Sequence, residues 1–394
     1  MSATREQVIA FRLRNHHLAE RLSPGDHLAA LAACGVQDSP PGSAALSLHA
    51  RVRDLQPDDA DRLLQTRAAV QIWAMRAAPY LIRAADMPIF TTGLLPDDDA
   101  ALRHYIQGAT NHLAELALTA AEAVRLTGAA LPEALSGRSL TKDALAAALA
   151  SAVAPALTAK QRALWVSPDG WRSNTHGETV VRFALSVLSL QRRLCLLPGK
   201  GGAATEIVLA GDWVTLAPAA MPREEAAAEL LRRYLQCYGP STAADYALWA
   251  GISRPQADRA WAPLSTALEP VSVEGKERWL LTDDRPALQH ARMPQGVRLL
   301  PPHDPYLQAR ERLLLVAEPA RRRLTWQTVG SPGVVLVDGE IAGVWRPKKR
   351  GKSLTVSVQP FRPVDPGLQA SLEAEAESLG PFRGADSVAL RIEG

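Results

Sequence analysis

The sequence LLRRYLQCYGPSTAADYALWAGIS, at residues 230–253, carries the clearest structural pattern in the chain. Its first part is the end of a predicted helix that begins at Glu224. Gly239-Pro240-Ser241 then forms a turn, because proline breaks the helical hydrogen-bond pattern. Thr242 caps a short second helix, which Gly251 ends. The stretch therefore predicts two helices separated by a sharp turn.

A third helix and a hairpin follow this stretch. Ser253 starts a capping box just after Gly251, and two short helices joined through a glycine turn are typical of a helix-turn-helix. The strand-like triplets 271–273 and 279–281 then flank a glutamate–glycine turn. Residues 221–288 are therefore predicted to form a winged-helix module.

The same layout, helices followed by a hairpin, is predicted twice more towards the amino terminus. In the first copy, strand-like segments at 70–75 and 80–82 flank the tetrapeptide RAAP. In the second, strand-like segments at 193–197 and 206–209 flank the glycine-rich loop PGKGG. We therefore expect three tandem winged-helix modules, at residues 1–135, 136–220 and 221–288.

After Met293 the pattern changes to β. An apolar segment leads into Asp338-Gly339, a strong hairpin signal, and an alternating strand follows at 354–358. A helix is predicted near 366–379. Residues 289–394 are therefore expected to form a β-barrel-like domain, in a chain of class α+β that is predominantly helical.

The overall composition fits a soluble globular protein of several domains. The 394 residues exceed what one core normally buries, and 47% of them are hydrophobic while 22% are charged. The net charge of +3 does not by itself indicate nucleic acid, because a DNA-binding protein can concentrate its positive charge on one face.

Cysteine usage and the amino-terminal residues favour the cytoplasm. The three cysteines are far apart and the sequence has no Cys/His cluster, so we predict neither a disulfide framework nor a metal site, and no cofactor. The first residues are charged throughout, which argues against a signal peptide, and no apolar run of about 18 residues predicts a membrane span. We expect a cytoplasmic protein that does not enter a membrane.

Four segments resemble the AlkZ-like (YcaQ-like) family of winged-helix DNA glycosylases. One is the stretch at 230–253, and the others are QIWAMRAAPYLIRAADMP (71–88), LLPPHDPYLQARERLLL (299–315) and VVLVDGEIAGVWRPKKRGKSLTVSVQPF (334–361). They occur in the family's order over nearly the whole chain. The resemblance implies three tandem winged helices and a β-barrel wrapped around duplex DNA.

The family's catalytic signature is a glutamine in the first module, usually followed one residue later by Asp or Gln. The matching residues here are Gln37-Asp38-Ser39, so the resemblance assigns catalysis to Gln37. Ser39 takes the last position, although it is uncharged and shorter, and Asp38 takes the usually apolar middle position. The residues alone favour a different interpretation, a polar loop in which Asp38 or Ser39 caps the next helix.

These residue types suit hydrolysis of an N-glycosidic bond, which passes through an oxocarbenium-like sugar. A purine alkylated at N7 is already cationic and leaves without protonation. The protein must then place a water below C1′ and stabilise the positive charge on the sugar. We expect Gln37 to orient that water and Ser39 to add a hydrogen bond. Asp38 becomes the electrostatic partner if its side chain turns inward.

Several cations are candidates for DNA contacts. Residues 340–352 contain five positive charges and one negative charge, and we predict that their hairpin tip reaches phosphates. The alternative is a solvated turn. The DNA-binding candidates in this hairpin are Lys348, Lys349, Arg350 and Lys352. Arg76, in the segment that resembles the family's Trp-x-Met-Arg, either contacts phosphate or pairs with a carboxylate.

His303 lies in another segment that resembles the family. His303-Asp304 invites a catalytic interpretation, but Asp304-Pro305 is typical of a turn and no nucleophile signature such as GxSxG is nearby. The resemblance implies that His303 lies near the lesion and contacts DNA.

The leading functional prediction is a monofunctional DNA glycosylase that removes bulky or N7-alkylated purines from duplex DNA as a monomer. The resemblance also makes self-resistance to a DNA-alkylating antibiotic a candidate role. The alternative is a non-catalytic winged-helix DNA-binding protein, regulatory or adduct-sequestering, which Ser39 at the last signature position favours.

Overall fold

Helices are the major element of this mixed α+β chain, whose structure is a computed structural model that describes residues 1–170, 174–199, 204–214 and 221–393. In chain order the helices are α1 (Arg5–Asn15), α2 (His27–Ala32), α3 (Ser43–His49), α4 (Asp59–Gln65), α5 (Met87–Thr91), α6 (Asp99–Tyr105), α7 (Thr110–Glu115), α8 (Ala120–Leu135), α9 (Lys142–Val153), α10 (Ala159–Trp165), α11 (His176–Leu190), α12 (Ala210–Trp213), α13 (Arg223–Tyr238), α14 (Ala243–Ala250), α15 (Arg254–Trp261), α16 (Arg285–Gln289), α17 (Arg312–Leu315), α18 (Pro319–Thr325) and α19 (Pro366–Ser378).

The strands form three sheets. In chain order they are β1 (Ser2–Ala3), β2 (Val36–Gln37), β3 (Ala69–Trp73), β4 (Pro79–Arg83), β5 (Leu140–Thr141), β6 (Leu194–Leu197), β7 (Glu206–Leu209), β8 (Leu268–Val273), β9 (Lys276–Leu281), β10 (Val297–Leu300), β11 (Gly333–Val337), β12 (Glu340–Arg350), β13 (Ser353–Pro360) and β14 (Ser387–Ile392). The hairpins predicted from the sequence are β3–β4, β6–β7, β8–β9 and β11–β12, and all four are present.

The chain divides into two units that do not follow its linear order. Unit 1 contains Met1–Thr66, Leu231–Tyr246 and Leu264–Gly394, and unit 2 contains Arg67–Leu230 and Ala247–Pro263. The helices predicted for the first module therefore belong to unit 1, whereas its hairpin β3–β4 belongs to unit 2. The two spatial units therefore do not coincide with the contiguous modules predicted from the sequence.

In unit 2, two predicted wings share one sheet. Its strands run in the order β4-β3-β6-β7-β5, and the pairing of Gln71 with Leu196 joins the first hairpin to the second. The apolar faces of α8, α9 and α11 pack together beside this sheet, with Leu149 and Leu185 fully buried. Of the glycine-rich loop PGKGG (198–202) predicted between β6 and β7, residues 200–202 lie outside the described residues.

In unit 1, the hairpin predicted to be the third wing gains a strand from the amino terminus. β8 and β9 pair around Glu274-Gly275, both of which have the positive φ that a tight hairpin turn needs. β1 adds in parallel to β8, with Ser2 opposite Ser272. Phe11 of α1 packs against this sheet, so the first helix is fixed to the β8–β9 hairpin.

The carboxy-terminal part of unit 1 is β-rich, as predicted, but its sheet is open. The described strands run in the order β10-β11-β12-β13-β14, with β10 and β14 at the edges and no pairing that closes a barrel. The last pair, β13 with β14, is parallel, so the chain must cross over the sheet, and α19 makes that crossing. Because Leu372 and Ala376 of α19 are buried against the sheet, the apolar face of the sheet is covered without closure.

Helix α3 packs against the carboxy-terminal sheet and helix α19. Leu46 belongs to the apolar cluster that α19 and the sheet form, and His49 Nε2 lies 2.9 Å from Ser378 Oγ. Burial lowers the pKa of His49 to about 4, and the nearby guanidinium groups of Arg21 and Arg298 add to that effect. The folded chain therefore keeps this imidazole neutral well below the range in which a free histidine takes up a proton.

We expect His49 to make the chain less stable in mild acid. An unfolded histidine binds its proton near pH ~6.5, whereas the folded one does so at about 4. Between these values the unfolded state holds more protons, so the free energy of unfolding falls as pH decreases. Between pH 7 and pH 5, the free energy of unfolding of the His49→Gln variant should fall by roughly 1–2 kcal/mol less than that of wild type.

Urea denaturation at the two pH values measures this difference. Replacement of the exposed His104 by Gln is the matched control and should leave the pH dependence unchanged. An identical slope for wild type and His49→Gln would contradict the assignment.

Candidate functional site

The loop that carries the predicted catalytic residues lies between α2 and α3 in unit 1. Gln37 is the last residue of β2, and Asp38 and Ser39 follow it directly. Pro40 and the next proline prevent helix there, and Gly42 adopts a left-handed conformation at the start of α3. Because α3 is anchored to the carboxy-terminal sheet, the end of the loop that leads into α3 is held in place.

The side chain of Gln37 is buried with its carbonyl oxygen unused. Only 6% of the residue is exposed, and Oε1 has no hydrogen-bond partner among the residues that the structure describes. Buried polar atoms are nearly always paired, and an unpaired one costs about 1–3 kcal/mol. A buried acceptor kept free at this cost is able to accept a hydrogen bond from a bound water.

Asp38 caps helix α3. Its Oδ1 accepts hydrogen bonds from the backbone N–H groups of Gly42 at 2.8 Å and Ala44 at 3.0 Å. These donors have no partner within the helix, and a carboxylate also interacts favourably with the positive end of the helix dipole. The capping alternative that local chemistry suggested is therefore present. Ser39, next to it, is partly exposed.

Asp304 forms a buried ion pair in unit 1. Its carboxylate receives two hydrogen bonds from the guanidinium of Arg51, at 2.7 and 2.8 Å, and the two side chains are 0% and 2% exposed. Asp304 Oδ1 also accepts from the backbone N–H of Tyr306, at 3.0 Å. This is the turn that Asp304-Pro305 predicted, and it leaves Asp304 a structural role.

His303 lines a small cavity. The cavity has a volume of about 190 Å³ and also contacts Gln308, Arg312 and Trp326. His303 itself has a positive φ of 59°, which is uncommon for a residue with a side chain. The structure thus places His303 at the wall of this cavity, next to the buried pair of Arg51 and Asp304.

Arg76 has an internal role in unit 2. Its guanidinium donates to the backbone carbonyl of Trp249 and to the hydroxyl of Tyr80, the latter at 3.1 Å. A Cβ on Gly251 would lie 2.8 Å from the Cα of Arg76, so this close approach requires glycine. Of the two alternatives predicted for Arg76, the structural one fits these contacts.

The basic hairpin tip is exposed to solvent. Lys348, Lys349 and Arg350 end β12, and Lys352 follows the turn at Gly351. Because side chains alternate along a strand, Lys348 and Arg350 share one face with Arg346. Lys352 has a weak contact with Asp386, at 3.6 Å between two exposed groups. The tip thus presents positive charge to solvent.

A cleft in unit 1 contains cations that the sequence did not single out. It has a volume of about 1010 Å³, and its lining includes the exposed residues Arg14, Arg53 and Arg292 together with the partly buried His17. The three arginines have no ion-pair partner among the described residues. They come from three distant segments, so no sequence motif connects them.

Three potential metal ligands meet in unit 2. The ligand atoms of His112, Glu115 and His176 all lie within 4.8 Å of one another. The sequence predicted no metal site, because α7 and α11 are separated by many residues and no Cys/His motif links them.

The remaining features predicted from the sequence concern the cysteines and the hydrophobicity of the helices. Cys34, Cys195 and Cys237 are all free and buried. Among the described residues, no helix is both long and apolar enough to cross a membrane.

Comparisons with known proteins point in one direction. Residues 29–382 match the family described as DNA glycosylase AlkZ-like. An interstrand DNA cross-link repair glycosylase from Streptomyces sahachiroi is 25% identical over 408 residues, with both chains covered completely. The solved structure of the Streptomyces sahachiroi DNA glycosylase AlkZ has a TM-score of 0.72 and 22% identity, again over the whole of both chains. At that identity the structural likeness concerns the fold.

Proposed function

This chain belongs to the AlkZ-like family of DNA glycosylases, and from that membership we propose that it hydrolyses the N-glycosidic bond of bulky or N7-alkylated purines in duplex DNA. The observation that supports a catalytic role most strongly is the buried, unpaired carbonyl of Gln37. An enzyme that holds a reacting water has a use for this free acceptor, whereas a protein that only binds DNA does not need it.

The proposed mechanism begins with departure of the cationic purine. As the bond between C1′ and the base nitrogen breaks, the bonding electron pair stays with the base and C1′ becomes oxocarbenium-like. Gln37 Oε1 accepts a hydrogen bond from the attacking water and orients it towards C1′. When the bond between C1′ and the water oxygen forms, the proton passes to solvent. Gln37 therefore acts by positioning.

Asp38 supports this chemistry in two ways. Its Oδ1 holds the loop to the start of α3 and so fixes the backbone that carries Gln37. Its negative charge, adjacent in sequence to the water-orienting residue, stabilises the positive sugar. Ser39 supplies a further hydrogen-bonding group at the loop's exposed edge.

We propose that winged-helix modules and exposed cations engage the duplex. The hairpins β3–β4, β6–β7 and β8–β9 are the proposed wings, and the tip that contains Lys348, Lys349, Arg350 and Lys352 contacts phosphates. The cleft arginines offer a second set of phosphate contacts. His303 borders a cavity close to Asp304 and is proposed to lie near the lesion.

Loss of one phosphate contact should weaken binding in a salt-dependent way. We expect Arg350→Ala to reduce DNA affinity and to lower the slope of log affinity against log salt by about 0.9. Arg323→Ala, at an exposed position on α18, removes the same charge and is the matched control. Fluorescence anisotropy at several salt concentrations measures both slopes. Equal effects of the two variants would indicate a general charge effect and would contradict the proposed contact.

The function itself is tested with duplexes that carry a panel of N7-alkyl adducts. Purified protein should produce abasic sites, which alkali converts to strand breaks, at rates above the spontaneous loss without protein. Because the proposed enzyme is monofunctional, the backbone should remain intact before alkali. No abasic sites with any adduct would reject the proposal.

The range of adducts and the biological role are proposed from relatives. One relative is described as an interstrand DNA cross-link repair glycosylase, so we propose that this chain likewise accepts bulky adducts, in a relatively open site. Self-resistance to a DNA-alkylating antibiotic is the proposed role, carried out by a cytoplasmic monomer without cofactor in base excision repair.

A second candidate function is non-catalytic DNA binding. It is favoured by the capping role of Asp38, which occupies one carboxylate oxygen, and by serine at position 39. Such a protein would sequester adducts or regulate transcription. It would bind adducted DNA in the assays above and yield no abasic sites.

A further inference from the structure

We infer that His112, Glu115 and His176 form a binding site for one Zn²⁺ ion in unit 2, separate from the proposed catalytic loop. The Nδ1 atoms of the two histidines lie 3.0 Å apart, and Glu115 Oε2 lies 3.5 Å from His176 Nδ1. Two ligands at about 2.1 Å from a tetrahedral zinc are roughly 3.4 Å apart. These two distances are close to that spacing, and the three ligand atoms all lie within 4.8 Å of one another.

The backbone holds these ligands in place. His112 and Glu115 are three residues apart on α7 and therefore share a face, while Leu113 between them is buried. At its carboxy end the helix is tied to α10, because Gln161 Nε2 donates to the carbonyl of Leu116, at 3.1 Å. The first two ligands are therefore preorganised.

The third ligand is fixed by a helix start. His176 is the first residue of α11, directly after Thr175, whose side chain and backbone form a capping box with Glu178. The backbone N–H of His176 also donates to the carbonyl of Ser167, at 3.1 Å. Glu178 is occupied by the cap, which leaves Glu115 as the carboxylate that faces the two rings.

The donor set selects the ion. Two imidazoles and one carboxylate suit zinc and fill three of its four positions. Glu115 is 57% exposed, so solvent reaches the cluster and a water would fill the fourth position. Without an ion, the two ring nitrogens that face each other at 3.0 Å can form one hydrogen bond, in which one nitrogen donates and the other accepts. A bound cation would instead accept the lone pairs of both nitrogens. Binding of zinc would release the intervening proton.

Such an ion would join α7 to α11 and stabilise unit 2. This inference does not rest on the proposed glycosylase activity, because none of the three residues belongs to the catalytic loop. Because the folded chain would bind zinc more tightly than the unfolded chain does, we expect the metal to raise the melting temperature.

The test is titration of the metal-free full chain with Zn²⁺ by calorimetry, and with Co²⁺ by visible absorption. We expect one ion per chain, a tetrahedral Co²⁺ spectrum and a raised melting temperature. His112→Ala should abolish this binding, and the conservative Glu115→Gln, at an exposed position, should weaken it about 10-fold or more. His104→Ala, an exposed histidine on α6, should bind as wild type does.

Two results would overturn the inference. One is the absence of saturable Zn²⁺ binding by the wild-type chain. The other is binding by folded Glu115→Gln and His112→Ala at wild-type affinity, which would place the ion elsewhere. Circular dichroism of the metal-free variants establishes whether they are folded. If His112→Ala does not fold, Glu115→Gln alone decides the test.

Discussion

Replacement of Gln37 by leucine should lower the excision rate about 100- to 1,000-fold, the effect of removing one preorganised polar group from a reacting centre. The side chains have similar volume, so the loop keeps its packing while losing the group that orients the water. Affinity for adducted duplex should stay within about twofold of wild type, because a residue that is 6% exposed contributes little contact surface.

The same substitution should leave the protein as stable or make it more stable. Wild-type Gln37 buries a carbonyl oxygen without a partner among the described residues, and leucine removes that desolvation cost. A variant that gains stability and loses activity identifies a residue kept for function. Single-turnover kinetics with excess protein and thermal melting measure the two effects.

Ser39→Ala is the matched control in the same loop. Ser39 is partly exposed, and its loss should reduce excision far less than the loss of Gln37. Equal rates for Gln37→Leu and wild type would remove Gln37 from the mechanism. A large loss of stability in Gln37→Leu would instead show that its amide is a structural group.

Replacement of Asp304 by alanine should destabilise unit 1 by about 3–5 kcal/mol. Arg51 is 2% exposed and cannot lose its proton, so the substitution leaves a buried charge without its partner. The pair also joins the amino-terminal helices to the carboxy-terminal half of unit 1. The midpoint of urea denaturation measures the loss.

Two further variants separate the buried charge from the loss of a side chain. The double variant Arg51→Met/Asp304→Leu removes both charges and should recover most of the stability. Asp386→Ala breaks an exposed pair with Lys352 and should change stability by less than about 0.5 kcal/mol. A loss below about 1 kcal/mol in Asp304→Ala would contradict the importance of this pair.

Local features of the fold could be predicted from the sequence because their causes are local. Asp338-Gly339 forms its hairpin turn, with both residues at positive φ, since those residue types tolerate that conformation. The capping alternative for Asp38 likewise followed from a polar residue before a helix. Gln37 was found by resemblance, and no periodicity in the sequence marks it.

Features that depend on distant residues could not be predicted in this way. Asp304 looked like a turn residue, and its pairing with Arg51, 253 positions away, appears only in the folded chain. The β3–β4 and β6–β7 hairpins join in one sheet through a single pairing between Gln71 and Leu196. The expected barrel is an open sheet among the described strands because β13 and β14 pair in parallel through α19. Sequence patterns specify elements, whereas these contacts depend on how the chain brings remote elements together.

The central claim is that this chain uses Gln37 to hydrolyse the bond between an alkylated purine and its sugar. Its most direct test is the single-turnover release of free base from a duplex with one N7-alkylguanine, measured by mass for wild type, Gln37→Leu and a protein-free control. We predict release by wild type far above the control, with an intact backbone and an abasic site left behind, and release by Gln37→Leu near the control. Wild-type release equal to the control, or equal release by the two proteins, would contradict the claim.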